Sequence, residues 1–567
     1  MTMRKLLFSN PIRWTLLVLL SLWFSFGPMK LAAQTAAQEQ KMNDDTTTGG
    51  ANSAKSWGAT SSDTADASGP GKPADVNAEI LKELEQMRAR IQQLESQLKS
   101  QQASSGTAAI AEATDSSSRA STVELTVAKS GTNSAQAAQA QATPNPEPAV
   151  PFAFADFSWL TGNMRVKEPP VDTKFFTPEV RFDVAYVHSF WNPSDDSLGG
   201  SSEVFRSSEF QLTQLGVGGD FHFDNVRGRI MTQVGMYSQT QPRNDASVAR
   251  GQWTLDNAYR YISEAYGGYH FNVAHGLNVD AGIFMSYIGL FSFYNFDNWA
   301  YQPSYVSSNT PWFFNGVRIQ YFPTDKLKIE PWFINGWQSY GRFNNRPGIG
   351  GEILWRPNGS VSIVGNQYFL GADTLNNPGR IRYHTDDSIQ VKYYDHPERT
   401  LDRMAFTFTG DMGCEHGGGV SCAGDSAKGP KQSFIGYMVY NRFWFDKDLY
   451  AFTLGGGQIN NPGRYLVLLP PINGATAITG SPYFTENPGD PYKAWDVSGT
   501  IDWMPRQYVT FRWEYNYRDA NVPYFSGPGG ITPVGGNTGN PAVIVPGFTP
   551  DLRKYEQRVT GAIMVTF

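Results

Sequence analysis

An all-β chain, folded as one transmembrane antiparallel β-barrel of about sixteen strands, is the class this sequence predicts, and three observations predict it. From Val180 onward apolar and polar residues alternate with period two, the sign of strands whose two faces meet different surroundings. Short and long connections between those strands also alternate. Finally, 72 of the 78 aromatic residues fall in the last 417 positions, while the chain is only 17% charged and its mean hydropathy is −0.39. Soluble proteins carry about 25% charged residues, and a bundle of membrane helices would be far more apolar. Strands that give one face to lipid and the other to water satisfy both numbers.

In chain order, residues 1–33 read as an export signal. Arg4, Lys5 and Arg13 precede Trp14–Phe26, thirteen uncharged residues, too short for a span that needs about 20. Small residues follow, with cleavage expected after Ala33. Residues 34–73 are Ala, Ser, Thr, Gly and Asp with little to bury, and disorder is their default. Within 74–100, Ile80, Leu84, Met87, Ile91, Leu94 and Leu98 repeat with spacings of four and three, a heptad seam. In that register Glu83 faces Arg88 of a neighbour and Arg90 faces Glu95, both attractive in a parallel homo-oligomer. The seam suits a short α-helical coiled coil or, since three heptads are marginal alone, a single amphipathic helix. Residues 101–150, polar and without one aromatic, form a flexible linker ending near Asn145-Pro146-Glu147-Pro148, and 151–567 form the barrel.

Sixteen segments carry the alternation, and Tyr508–Arg518 is the clearest. There Val509, Phe511, Trp513, Tyr515 and Tyr517 share one face, and Thr510, Arg512, Glu514, Asn516 and Arg518 the other. Short turns are expected at 224–225, 272–276, 323–326, 357–360, 395–400, 446–448 and 504–507. Eight longer connections, at 191–208, 239–258, 288–311, 339–348, 371–379, 412–432, 457–493 and 519–554, separate them. Short turns on one side and long loops on the other are the asymmetry of outer-membrane barrels. The last strand, ending on Phe567, resembles the signal read by the outer-membrane barrel assembly machinery. Closure is obligatory in lipid, where each backbone N–H and C=O needs an internal partner. Sixteen strands also enclose a lumen wide enough for water.

The segments Glu264–Phe271, Gly276–Phe284, Tyr287–Leu290, Gly316–Arg318, Asn335–Gln338, Asn461–Tyr465, Pro550–Arg553 and Arg558–Thr560 resemble the OmpL-like family of β-barrel porins, over roughly 180–567. The resemblance implies a porin-like barrel in the outer membrane, in contact with its lipid, and supplies neither a substrate nor a catalytic residue.

The lumen face follows from parity. It places Arg227, Arg229, Arg318, Arg403, Arg512 and Arg518 inward, with Asp280, Glu330, Glu352, Asp502 and Glu514. A single-sign ring would select ions by charge; this mixture suits small polar solutes, or wall-to-wall ion pairs that stiffen the barrel. The connection 288–311 is the expected constriction loop, carrying Phe291, Phe293, Tyr294, Phe296, Asp297, Trp299 and Tyr301. Rings beside a carboxylate suit sugar faces; contact with a neighbouring protomer and simple surface packing are the alternatives. Cys414 and Cys422, in an exported chain, are expected to form a disulfide.

A net charge of −6 without a basic patch excludes a nucleic-acid partner of the usual kind. GxSxG, HExxH and phosphate-loop motifs are missing from the sequence, so no enzyme, metal or cofactor is expected. The function these features predict is an outer-membrane porin for passive diffusion of small polar solutes, trimeric by preference. The alternative is a structural barrel with adhesin or receptor loops and a coiled-coil tether reaching toward peptidoglycan.

Overall fold

A computed structural model describes Gln92 and residues 149–567, except 166–167, 202–203, 375–376, 477 and 539–544. The expected export signal, the coiled-coil seam and the linker up to residue 148 lie outside the described residues.

Sixteen antiparallel strands form one closed barrel. They are β1 (Phe176–Ser189), β2 (Glu209–Phe223), β3 (Val226–Thr232), β4 (Ile262–Phe271), β5 (Leu277–Met285), β6 (Phe313–Thr324), β7 (Leu327–Ile334) and β8 (Gly348–Asn358). They continue as β9 (Val361–Gly371), β10 (Ile381–Asp395), β11 (Leu401–His416), β12 (Ser433–Phe445), β13 (Tyr450–Asn460), β14 (Lys493–Arg506), β15 (Val509–Ala520) and β16 (Tyr555–Thr566). Each strand pairs with its sequence neighbours, and β16 closes on β1 in a ladder from Arg181 opposite Thr566 to Ser189 opposite Arg558. Phe567 extends that seam by exchanging backbone hydrogen bonds with Val180. No described helix is long and apolar enough to cross a membrane; the strands cross instead.

Alternation becomes inside and outside. On β15, Trp513 and Tyr515 are exposed outward, whereas Thr510, Arg512, Glu514, Asn516 and Arg518 are buried inward. The outer face carries Phe210, Val217, Ile501 and Ile563, all exposed, as in the apolar band that a bilayer covers. The packed core lies within the barrel, where Trp159, Trp299, Tyr305 and Trp444 are buried in one cluster.

Three local differences from the sequence expectation have physical causes. β3 ends at Thr232 rather than continuing to 238, because the chain turns at Gly235 (φ 115°) and packs Tyr237 on Phe293, with ring centroids 4.2 Å apart. β11 runs on to His416, pairing as far as Ile381 of β10, so Cys414 stands on a strand end instead of in a loop. The long connection after β15 contains a small ribbon, Phe525–Ser526 with Leu552–Arg553. The Cys414–Cys422 disulfide is formed, with Cα atoms 5.0 Å apart, and pins the hairpin that follows β11.

Candidate functional site in the barrel interior

The connection after β5 crosses the interior and is fastened by its backbone. Arg512 of β15 donates to the Asn295 carbonyl (3.0 Å) and the Asn298 carbonyl (2.7 Å). Glu514, two residues on and therefore on the same face, accepts from the backbone N–H groups of Tyr301 (2.7 Å) and Gln302 (2.8 Å). Arg442 of β12 donates to the Trp299 carbonyl, and Tyr440 of β12 accepts from the Ser304 N–H at 2.9 Å. Two strands round the sheet from β15, Asp183 of β1 also holds the loop, accepting from Asn295 Nδ2 (2.9 Å) and the Tyr301 hydroxyl (3.0 Å). A loop backbone inside a barrel has few neighbours of its own to bond, and these side chains satisfy it.

Its rings are mostly committed to packing. Trp299 meets Trp444 edge-on at 5.6 Å, Phe291 meets Tyr440 at 4.9 Å, and Phe293 lies against Tyr237. Tyr294 donates to Glu264 (2.8 Å) beneath the Arg181 guanidinium, 4.1 Å from its ring. Phe296 and Tyr301 are buried as well. The expected row of rings offered to sugars is therefore not displayed to the lumen by these residues, since the wall takes their faces. Asp297 is the polar member that keeps some exposure, 3.1 Å from Arg181.

The interior charges fall into two environments. Along β12–β15, Asp502 bridges Arg442 and Arg512 at 2.7 Å each, and all three side chains are 0% exposed. Buried charges of this kind are tolerable only when fully paired. Arg518 is buried too, with Tyr305 under its guanidinium at 3.9 Å and a bond to the Gly200 carbonyl. Along β1–β4 the charges are just as paired but reach solvent. Arg229 binds Glu179 (2.7 Å), Asp220 (2.9 Å) and Glu264 (2.8 Å), with Asp220 23% and Glu179 20% exposed. Arg227, 12% exposed, faces Asp280, which Arg318 also engages at 3.0 Å. Lys328 bridges Glu330 and Glu352 at 2.6 Å each, on β7 and β8.

The ladders put these candidates on the inner face, Arg403 among them, since it lies opposite the buried Trp444 in unbroken register with Ala405. Arg403 is the third residue of β11, at the short-turn rim and just past a bulge between Leu401 and Arg403. There it binds Asp448 (2.6 and 2.8 Å) and Asp395 (3.1 Å). Asp446, Lys447 and Asp448 take three successive left-handed conformations (φ 54°, 58°, 64°), which swings the Asp448 carboxylate to that position.

Sequence reasoning missed a second occupant. The segment 149–165 runs under the short-turn end as a strap. His275 meets the Ala149 carbonyl, Phe152 N donates to the Asp325 carbonyl and Trp159 Nε1 to the Gly359 carbonyl. Asn163 reaches Thr510, and Arg165 reaches the Met504 and Lys447 carbonyls. Arg356 lies over the rings of Phe152 (4.9 Å) and Phe157 (4.6 Å). The strap also grips the crossing loop: Gly162 N donates to the Asp297 carbonyl at 2.8 Å, and Arg442 donates to the Gly162 carbonyl at 2.6 Å. A Cβ at Gly162 would lie 2.4 Å from the carbonyl oxygens of Phe296 and Asn298. The available signal was the abrupt return of rings, Phe152, Phe154, Phe157 and Trp159, after a stretch with none.

On the long-loop side, burial pushes the Asp373 carboxyl up to about 7 although Ser339 donates to it, and pushes Asp245 up to about 6 despite bonds from Ser247. Among the described residues no cluster of His, Cys, Asp or Glu is arranged to hold a metal.

A closed barrel with an apolar outer band, short turns on one rim and a charged, loop-crossed interior defines an outer-membrane β-barrel of the porin type. The chain belongs to the family described as "Putative beta-barrel porin-2, OmpL-like", whose family model matches residues 181–540, and it resides in the cell outer membrane. Solved structures similar to it include the outer membrane channel DcaP of Acinetobacter baumannii, 13% identical, covering 69% of this chain and 96% of its own, with a TM-score of 0.38. An anion-selective porin from Comamonas acidovorans is 8% identical, covering 69% and 99%, with a TM-score of 0.39. OprB of Pseudomonas putida is 10% identical, covering 69% and 94%, at 0.39. No curated protein matches the chain.

Proposed function

We propose that the protein is a narrow diffusion porin for small polar solutes, with its water path along the β1–β4 wall. The observation that carries this reading is the set of inward charges of both signs that keep contact with solvent there: Glu179, Arg181, Asp220, Arg227 and Asp297. A wall of mixed sign lowers the cost of desolvating polar and zwitterionic solutes without excluding either ion. Asp297 and Arg181 join the crossing loop to that wall, which makes the loop the constriction of the path. In this reading the copies assemble as a trimer, the heptad seam at 80–98 tethers them in the periplasm near peptidoglycan, and Phe567 presents the chain end to the assembly machinery. Purified protein in planar bilayers should give small discrete conductance steps; silence at all salts and voltages would sink the reading.

The dry packing around Asp502 favours one rival, a structural barrel whose long loops are a receptor or adhesin surface. Liposome swelling separates the two. A diffusion porin passes amino acids and small sugars, whereas the structural barrel passes neither.

A further inference from the structure

The lipid-facing surface of a barrel should be apolar between its aromatic rims, because a polar side chain there has no water to bond. Fifteen of the sixteen strands obey this for carboxylates: away from strand ends, Asp387 is the one outward-facing Asp or Glu. It is the seventh of fifteen residues of β10, with its exposed side chain on the face it shares with Ile389 and Val391, opposite buried Asp386 and Ser388.

Its surroundings form a notch. In the ladder Asp387 lies opposite Gly365 of β9 on one side and Gly410 of β11 on the other. Beyond them stand Ile353 of β8 and Tyr437 of β12. The adjoining row is polar as well, for Gln367 pairs with Thr385. Gln367 Nε2 donates to the Thr385 hydroxyl at 2.6 Å, and that hydroxyl donates to Asp387 Oδ2 at 2.9 Å. Asp387 Oδ1 takes a long bond from Asn366 N at 3.3 Å. A carboxylate offers about four acceptor positions, so this group keeps room for further donors that lipid tails do not have. Polar residues at membrane depth face protein, and small neighbours let a second surface approach closely.

We infer that the β9–β11 face is a protomer–protomer interface, and that its occupant is the outer wall of a second copy of this chain. Two observations select that partner. The outer wall of the same barrel carries neutral donors on projecting rings, such as Trp495 on β14 and Trp513 on β15, and away from strand ends no outward Lys or Arg. The heptad seam upstream also has the charge pattern of an in-register homo-oligomer, which would bring copies side by side. The inference rests on the outer-membrane placement and stands whether or not the barrel conducts.

The test uses the full chain in outer membranes, with a photo-cross-linking amino acid at Ile389 beside the notch, or at Ile230, exposed on β3, away from both the notch and the β15 wall. Ile389 should give a product of twice the chain mass with a yield about tenfold that of Ile230, and Asp387→Leu should weaken the oligomer about tenfold on semi-native gels while the barrel stays heat-modifiable. The inference is overturned by cross-links at Ile230 but not Ile389, by adducts at Ile389 only with lipopolysaccharide or another protein, by a monomeric wild type, or by an Asp387→Leu oligomer of unchanged strength.

Discussion

The two sides of the barrel interior carry similar charges and behave differently. On β12–β15 the Arg442–Asp502–Arg512 group is sealed from solvent, with the crossing loop bonded to both arginines. On β1–β4 the Arg229 group, with three carboxylates, keeps part of its surface wet. Pairing is comparable, so pairing does not set the difference. What differs is the covering: loop carbonyls and the strap lie on the first side, and the second is left at the margin of both. The first wall therefore works as an anchor, and the second is the one proposed to meet solutes.

The anchor side should be the easier to break. Arg512→Ala strips the Asn295 and Asn298 carbonyls of their donor and leaves Asp502 half paired, which should cost about 3–5 kcal/mol. We expect early loss of the folded band in a heat-modifiability gel and larger, noisier conductance. Arg227→Ala on the wet side should cost less, because Asp280 keeps its bond from Arg318, and shift the reversal potential toward cations instead. Equal destabilisation by both variants would remove the distinction.

Gly162→Val probes the strap where it meets the crossing loop. The added carbon atoms have no place beside the Phe296 and Asn298 carbonyls, so the strap should withdraw, at a cost of about 1–3 kcal/mol. Its expected signature is faster proteolysis between 149 and 165 with higher single-channel conductance. Unchanged conductance would show that the strap does not limit the path.

A smaller effect is expected on the loops. The Asp373 carboxyl has its pKa raised from 3.8 to about 7 by burial, so the folded loop binds a proton that the unfolded chain has already released. Its stabilising share is complete below pH 3.8 and is lost as pH rises to about 7. Limited proteolysis of the long loops should accelerate between pH 5 and pH 7, and Asp373→Asn should flatten that dependence. Least of all, replacing Cys414 and Cys422 by Ser should free the hairpin beyond β11 by roughly 2–3 kcal/mol of loop restraint and leave the barrel's own melting unchanged.

Much of this was legible residue by residue. Trp513 outward and Arg512 inward follow from alternation, and the seven short turns from the spacing of the strands. Arg403 follows from alternation too, because the bulge beside Leu401 precedes it and leaves its register with Ala405 unbroken. The strap was missed because Phe152 to Trp159 has neither period two nor a heptad. Its partners, Asp325, Gly359 and Thr510, lie far away in the chain. The rings of the crossing loop were visible, but not which way they turn.

Local chemistry therefore settled the sixteen strands, their inner and outer faces and the closure of the sheet, since period two is a property of each strand and lipid forbids an open edge. Whether an inward arginine meets water or a carbonyl was decided only in three dimensions. Arg512 is sealed because residues 217 and 214 positions away cross the lumen to reach it, and no pattern within one strand records what fills the space in front of it.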